Sequence, residues 1–152
     1  MISCIIIEDE YPAREELKYF IENTSRFELN GEFESSEEDL QFLGKRVPDV
    51  IFMDINIPGI NGMVLSKIIK NLNSMPQIVF ITAHKEHAVE AFEIEAFDYI
   101  LKPFDLERLR KTIGRIKLDV PDNLEEKLEK LLRQFDTNKE ERIQKITCER
   151  RG

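Results

Sequence analysis

Four apolar residues, Val50-Ile51-Phe52-Met53, run straight into a carboxylate, Asp54, and Ile55-Asn56-Ile57-Pro58-Gly59 follows. A short apolar run bounded by turn residues reads as a buried strand. An acid at the exit of such a strand is held at the carboxyl edge of the sheet, where open α/β sheets place their chemistry. Three more strand-like runs end in polar residues: Ile7-Glu8-Asp9-Glu10, Ile81-Thr82-Ala83-His84 and Leu101-Lys102-Pro103. In a parallel sheet these ends share one side. Carboxylates gathered there repel one another and call for a cation, and oxygen donors select Mg²⁺, Mn²⁺ or Ca²⁺ over zinc. An ion held by Asp9, Asp54 and a backbone carbonyl would neutralise an incoming phosphoryl group. Asp54 would be the nucleophile, Lys102 a mobile positive charge and Thr82 a hydroxyl donor. An ionised carboxylate needs no general base. Each residue also has a plainer reading: Asp54 and Thr82 as helix caps, Glu8 and Asp9 as a cap cluster before Pro12, Lys102 as a surface turn. His84 and His87, at i and i+3, lack a third soft ligand and read as surface or loop histidines. The joint occurrence of four strand-end features favours the chemical reading.

The elements that would position these residues alternate. Strand-like runs cover Ile2–Ile7, Phe27–Phe33, Val50–Met53, Gln77–Ile81 and Phe97–Leu101. Helical stripes cover Pro12–Glu22, the run from Ser35-Ser36 to Gly44, Asn61–Leu72, Glu86–Phe92 and Leu106–Leu118. Val64, Leu65, Ile68, Ile69 and Leu72 mark the apolar face of the third helix, and Leu109, Ile113 and Ile116 that of the last. Five βα units over residues 2–118 predict an α/β fold whose parallel sheet is covered on both faces. Right-handed crossovers leave few topologies, among them the flavodoxin-like strand order 2-1-3-4-5. Residues 1–119 form this domain. Past Val120-Pro121 the composition changes. Leu124, Leu128, Leu131, Leu132 and Phe135 suggest a helical linker over 120–141. Two heptads do not establish a coiled coil, and a packed or solvated helix fits equally. Residues 142–152 begin another alternating segment, with Ile143, Ile146 and Cys148.

The bulk properties exclude several classes. At 152 residues, 41% hydrophobic and 34% charged, the chain has a globular composition. A net charge of −8 argues against this body binding nucleic acid, which needs a basic face. No apolar run approaches the ~20 residues that span a bilayer, and Met1–Glu8 lacks a signal peptide's basic start. Cys4 lies within a strand-like run and reads as a buried reduced thiol, which suits the cytoplasm.

With these residues in view, the chain resembles the receiver domain of a bacterial two-component response regulator over about residues 2–118. The resemblance is carried by Glu8-Asp9, by Met53-Asp54-Ile55-Asn56-Ile57-Pro58-Gly59-Ile60-Asn61-Gly62, by Thr82-Ala83 and by Lys102-Pro103-Phe104. It implies that Asp54 accepts a phosphoryl group from a sensor histidine kinase. It implies Mg²⁺ or Mn²⁺ on Asp9, Asp54 and the Asn56 carbonyl, with Glu8 assisting through water. It implies a cis Lys102–Pro103 bond and a switch through Thr82 and Tyr99. Dimerisation would then use the face formed by Glu86–Phe92, Phe97–Leu101 and Leu106–Leu118, with the linker helix reporting the change. Such a domain is a signalling receiver that catalyses only its own phosphorylation and dephosphorylation. The stretch from Phe80 to Phe104 resembles the LytTR (LytR/AlgR-type) subgroup. On that resemblance residues 142–152 are the opening strand of a truncated DNA-binding domain, and promoter DNA is contacted only through that missing part of a transcription regulator. Two alternatives stay open. A Mg²⁺-dependent aspartyl-phosphate phosphohydrolase usually has a second acid where this chain has Asn56. A degenerate receiver would serve only as an interaction module.

Overall fold

Ile2–Ile7, almost wholly apolar, form the first strand, β1, which pairs with a strand on each side. The computed structural model describes residues 1–72, 76–116 and 132. The expected linker at 120–141 and the segment 142–152 lie outside the described residues, apart from Leu132, which is helical and exposed. Contacts divide the chain into two units, Met1–Lys117 and Leu118–Gly152, and the first carries the sheet.

After β1 come α1 (Tyr11–Glu22), β2 (Phe27–Phe33), α2 (Ser36–Leu43), β3 (Val50–Met53), α3 (Gly62–Leu72), β4 (Gln77–Thr82), α4 (Ala88–Glu93), β5 (Asp98–Leu101) and α5 (Leu106–Arg115). All pairings are parallel and the order is β2-β1-β3-β4-β5, as the alternation of elements predicts. The period-two pleat splits the core into two layers. Cys4, Ile6, Phe52, Val79, Ile81 and Ile100 pack with Leu17 and Ile21 of α1 and Leu109 and Ile113 of α5. Ile5, Ile7, Ile51, Met53, Ile78 and Phe80 pack with α3, Ala91 of α4 and the apolar side of α2. Burying each Val, Leu, Ile, Phe or Met side chain among them stabilises the fold by about 1.5–3 kcal/mol.

The element boundaries differ from the sequence pattern where local chemistry intervenes. β4 runs on to Thr82, which pairs with Leu101. α4 begins at Ala88 rather than Glu86, because Lys85–Ala88 closes a turn (Ala88 N to Lys85 O, 3.2 Å) and Glu86 bonds His84 instead. In α3 the buried face is Met63, Leu65 and Ile69, while Val64 and Leu72 are exposed. α5 stops at Arg115 because Ile116 is extended. Side chains cap three helices: Ser35 Oγ accepts the Glu38 amide at 3.4 Å, Asn61 Oδ1 accepts the Val64 amide at 2.9 Å, and Asp105 Oδ1 accepts the Arg108 amide at 2.8 Å.

Asp39 is the anomaly of the fold. It is fully buried in α2, and neither carboxylate oxygen has a hydrogen-bond partner among the described residues. Burial pushes its carboxyl up to about 7. The unfolded chain releases this proton near pH 4, whereas the folded chain keeps it until about 7. Stability from the protonated form is therefore full below about pH 4 and lost as pH rises through 7. Asp39→Ala should raise the unfolding free energy at pH 8 by about 1–3 kcal/mol. Urea titrations should show that gain shrinking as the pH is lowered to 4.

Candidate functional site

Register brings the first two acids together. Ile7 pairs with Met53, so Glu8 and Asp54, the next residue on each strand, leave the sheet side by side. The Asp54 amide extends the ladder by donating to the Ile7 carbonyl at 3.1 Å. Both acids are buried, Glu8 at 5% and Asp54 at 6% exposure. β4 and β5 bring the counter-charge: Thr82 pairs with Leu101, and the Lys102 amide donates to the Thr82 carbonyl at 2.8 Å. From there Lys102 Nζ donates to Glu8 Oε1 at 2.7 Å and to Asp54 Oδ2 at 2.9 Å. The following bond, Lys102–Pro103, is cis.

Electrostatics ties the three groups into one unit. Burial and the neighbouring Asp54 charge raise the Glu8 carboxyl, against the lowering effect of Lys102. Burial opposes the Lys102 charge, but Glu8 and Asp54 outweigh it and hold the ammonium protonated well above its ordinary range. The corner thus keeps its one cation firmly. Its donors are carboxylate oxygens, with the Asn56 backbone nearby in sequence. That set suits a hard divalent ion, and the repulsion that Lys102 now offsets would favour one. Among the described residues no three His, Cys, Asp or Glu side chains are already gathered for a metal. The Glu8 and Asp54 carboxylates are turned on Lys102 instead, and Asp9 is exposed.

The loop after Asp54 is fastened at several points. Asp54 Oδ1 accepts the amide of exposed Asn56 at 3.2 Å, an Asx turn. Ser36, fully buried at the start of α2, accepts the Ile60 amide at 2.8 Å through Oγ and donates to the Pro58 carbonyl at 3.3 Å. Gly59 has a φ of +89°, and a Cβ there would lie 2.4 Å from Ser36 Oγ. A Cβ on Gly62 would lie 2.2 Å from the Asp54 carbonyl oxygen, so α3 can begin directly against the Asp54 backbone only with glycine.

Thr82 and Tyr99 do not touch the acids, yet they share a partner. Thr82, fully buried, accepts the His84 amide through Oγ1 at 3.3 Å. The Tyr99 hydroxyl donates to the His84 carbonyl, and its ring packs on Phe80 with centroids 5.9 Å apart. His84 and His87 are half-buried loop residues whose Nδ1 atoms face Glu86 and Glu90. The structure therefore joins Glu8, Asp54 and Lys102 directly, links Thr82 to Tyr99 through His84, and leaves Asp9 and Asn56 at the exposed rim.

Three residues escaped the sequence reading. Arg14 is buried and donates to the Glu8 carbonyl. Its signal was its place in the stripe Arg14, Leu17, Ile21. Ser36 read only as the start of the helical run to Gly44, and nothing local announced its hold on Pro58 and Ile60. Asp98 binds Arg108, Thr112 and Arg115. Despite burial, the Arg108 and Thr112 hydrogen bonds hold its carboxyl far below the usual range. That network fastens α5 to β5.

Comparison with known proteins identifies the family. The family model for the response regulator receiver domain matches residues 4–114. The sensory transduction protein LytT of Bacillus anthracis is 41% identical over 129 residues, covering 85% of this chain and 52% of that protein. The transcriptional regulatory protein YpdB of Escherichia coli K12 is 47% identical over 113 residues, covering 74% of this chain and 46% of that protein. The crystal structure of the response regulatory domain of MrkE from Klebsiella pneumoniae superposes with a TM-score of 0.73 at 46% identity, covering 75% of this chain and 93% of that one. The chain spans about half the length of the curated relatives it matches. The matched residues are those that build the sheet and the corner around Asp54, and the chain belongs to the response regulator receiver domain family.

Proposed function

We propose that Asp54 accepts a phosphoryl group from a sensor histidine kinase and that the modified domain controls a transcription-regulating output. The observation that carries this reading is the buried Asp54 carboxylate, aligned by Asn56 N–H and held by the Lys102 ammonium. A free Asp54 oxygen lone pair forms the new bond to phosphorus while the bond to the donor breaks, the leaving imidazole or acetate taking the electron pair. Mg²⁺ or Mn²⁺, bound by Asp9, Asp54 and the Asn56 carbonyl with help from Glu8, would supply charge neutralisation at the phosphoryl oxygens. Lys102 would move from its carboxylate pair to one phosphoryl oxygen and Thr82 would donate to another, which is positioning and electrostatics rather than acid–base chemistry. An open groove of about 870 Å³ beside Lys102, walled by Pro12, Ala13, Ala83, Pro103 and Phe104, gives a donor protein access to the corner.

The switch would run through His84. When the Thr82 hydroxyl turns to the phosphoryl group it releases the His84 amide, and Tyr99 then follows. The readout would be dimerisation through α4, β5 and α5, where Val89, Phe92, Leu101 and Leu106 are exposed. The names of the relatives, a sensory transduction protein and a transcriptional regulatory protein, support a regulatory output. In this reading residues 1–119 are the receiver, 120–141 a linker that reports the change, and 142–152 the start of a LytTR-type DNA-binding domain, acting in the cytoplasm. Among the described residues no helix is long and apolar enough to cross a membrane.

Intact mass after incubation with acetyl phosphate and Mg²⁺ should rise by about 80 Da, with no gain in Asp54→Ala. No gain under any donor would leave the chain as a binding module. Lys102→Ala should slow the gain by about 100-fold, the cost of losing one preorganised donor. Thr82→Ala should still gain the mass but lose phosphorylation-dependent dimerisation, measured by light scattering.

A further inference from the structure

Arg14 occupies a core position of α1: with Leu17 and Ile21 it forms the buried face, and only 8% of it is exposed. A guanidinium there must have its donors satisfied. Nη1 donates to the Glu8 carbonyl oxygen at 2.8 Å. Nε and Nη2 lie 3.4 Å from Glu32 Oε1 in β2 and Glu34 Oε1 just beyond it. The guanidinium carbon stands 5.6 Å from the centre of the Tyr11 ring. Glu8 itself donates its amide to the Phe33 carbonyl at 2.9 Å. Both backbone polar groups of Glu8 are thus held, one by β2 and one by Arg14, while its carboxylate goes to Lys102.

We propose that Arg14 is a positioning residue for divalent-cation binding by the acidic turn Glu8-Asp9. The inference rests on the cation-dependent reading above and adds a residue that touches neither ion nor phosphoryl group. The Glu8 carbonyl and the Asp9 amide belong to one planar peptide unit. A hydrogen bond to that oxygen therefore sets the plane from which Asp9 projects. Partners that orient metal-binding groups from behind contribute about 10–100-fold in affinity. Lysine cannot reproduce the arrangement, because a compact ammonium does not span Glu8, Glu32 and Glu34 as a planar fork does.

The sign of the effect separates positioning from a simple field. Arg14 is a positive charge behind a cation site, so by field alone its removal tightens cation binding. Loss of positioning weakens it. The decisive experiment titrates the full chain with Mn²⁺, following the free ion by electron paramagnetic resonance, with thermal melting recorded alongside. Arg14→Met should raise the Kd by about 10–100-fold, and Arg14→Lys by less. Glu32→Gln cuts a tie to β2 but keeps the Glu8 bond, so it should lower the melting temperature and leave the Kd unchanged. A Kd that stays or falls in Arg14→Met overturns the proposal, as does an equal rise in Glu32→Gln. Should Arg14→Met be unfolded, Arg14→Lys is judged by the same criterion. A wild-type chain that takes up no Mn²⁺ sinks the cation-dependent reading and this proposal together; wild-type uptake with unaltered Arg14 variants sinks the proposal alone.

Discussion

Two carboxylates that would rather be apart are forced together by the pairing of β1 with β3. Glu8 and Asp54 leave adjacent strands at the same height, and both are nearly removed from water. Their repulsion is offset by the single ammonium of Lys102, delivered from the end of β5. Much of the surrounding structure serves this contact. β4 must separate β3 from β5 so that Lys102 arrives from one strand beyond its neighbour, and the Thr82 carbonyl fixes the lysine backbone. An ion and a phosphoryl group would re-divide a charge balance the fold has already set.

The loops that meet at this corner are held by small groups rather than by bulk. Ser36 reaches from α2 to the loop after Asp54, and Gly59 and Gly62 have no side chains because Ser36 and the Asp54 carbonyl occupy the space. On the other flank Asp98 gathers Arg108 and Arg115, so α5 stays on β5 while the exposed faces of α4 and α5 remain open. The loops behind the corner are thus tied down, while Val89, Phe92 and Leu106 stand exposed on α4 and α5.

Most of the fold was legible because a parallel sheet buried on both faces writes long apolar runs, and turn residues bound them. The corner was legible for the same reason: Glu8, Asp54 and Lys102 each directly follow a strand, Thr82 closes one, and parallel strands end together. What the sequence left unread is non-local. Whether Glu86 belongs to α4 depends on its bond to His84, and the exposure of Val64 depends on which side of α3 meets the sheet. The role of Arg14 rests on a carbonyl partner six residues back, which no motif names. Asp39 carries no mark in the pattern, since burial of an acid is decided by the elements packed over it.

His84 is held at both ends of its backbone, by Thr82 at the amide and by Tyr99 at the carbonyl. A residue gripped twice behaves like a latch with two pins. One pin belongs to β4 and the other to β5, so the place of His84 depends on both strands. Partial displacement gains nothing, because an amide or carbonyl half-way to water has neither partner. The loop that follows Thr82 is thereby referenced to the sheet edge through two side-chain hydroxyls.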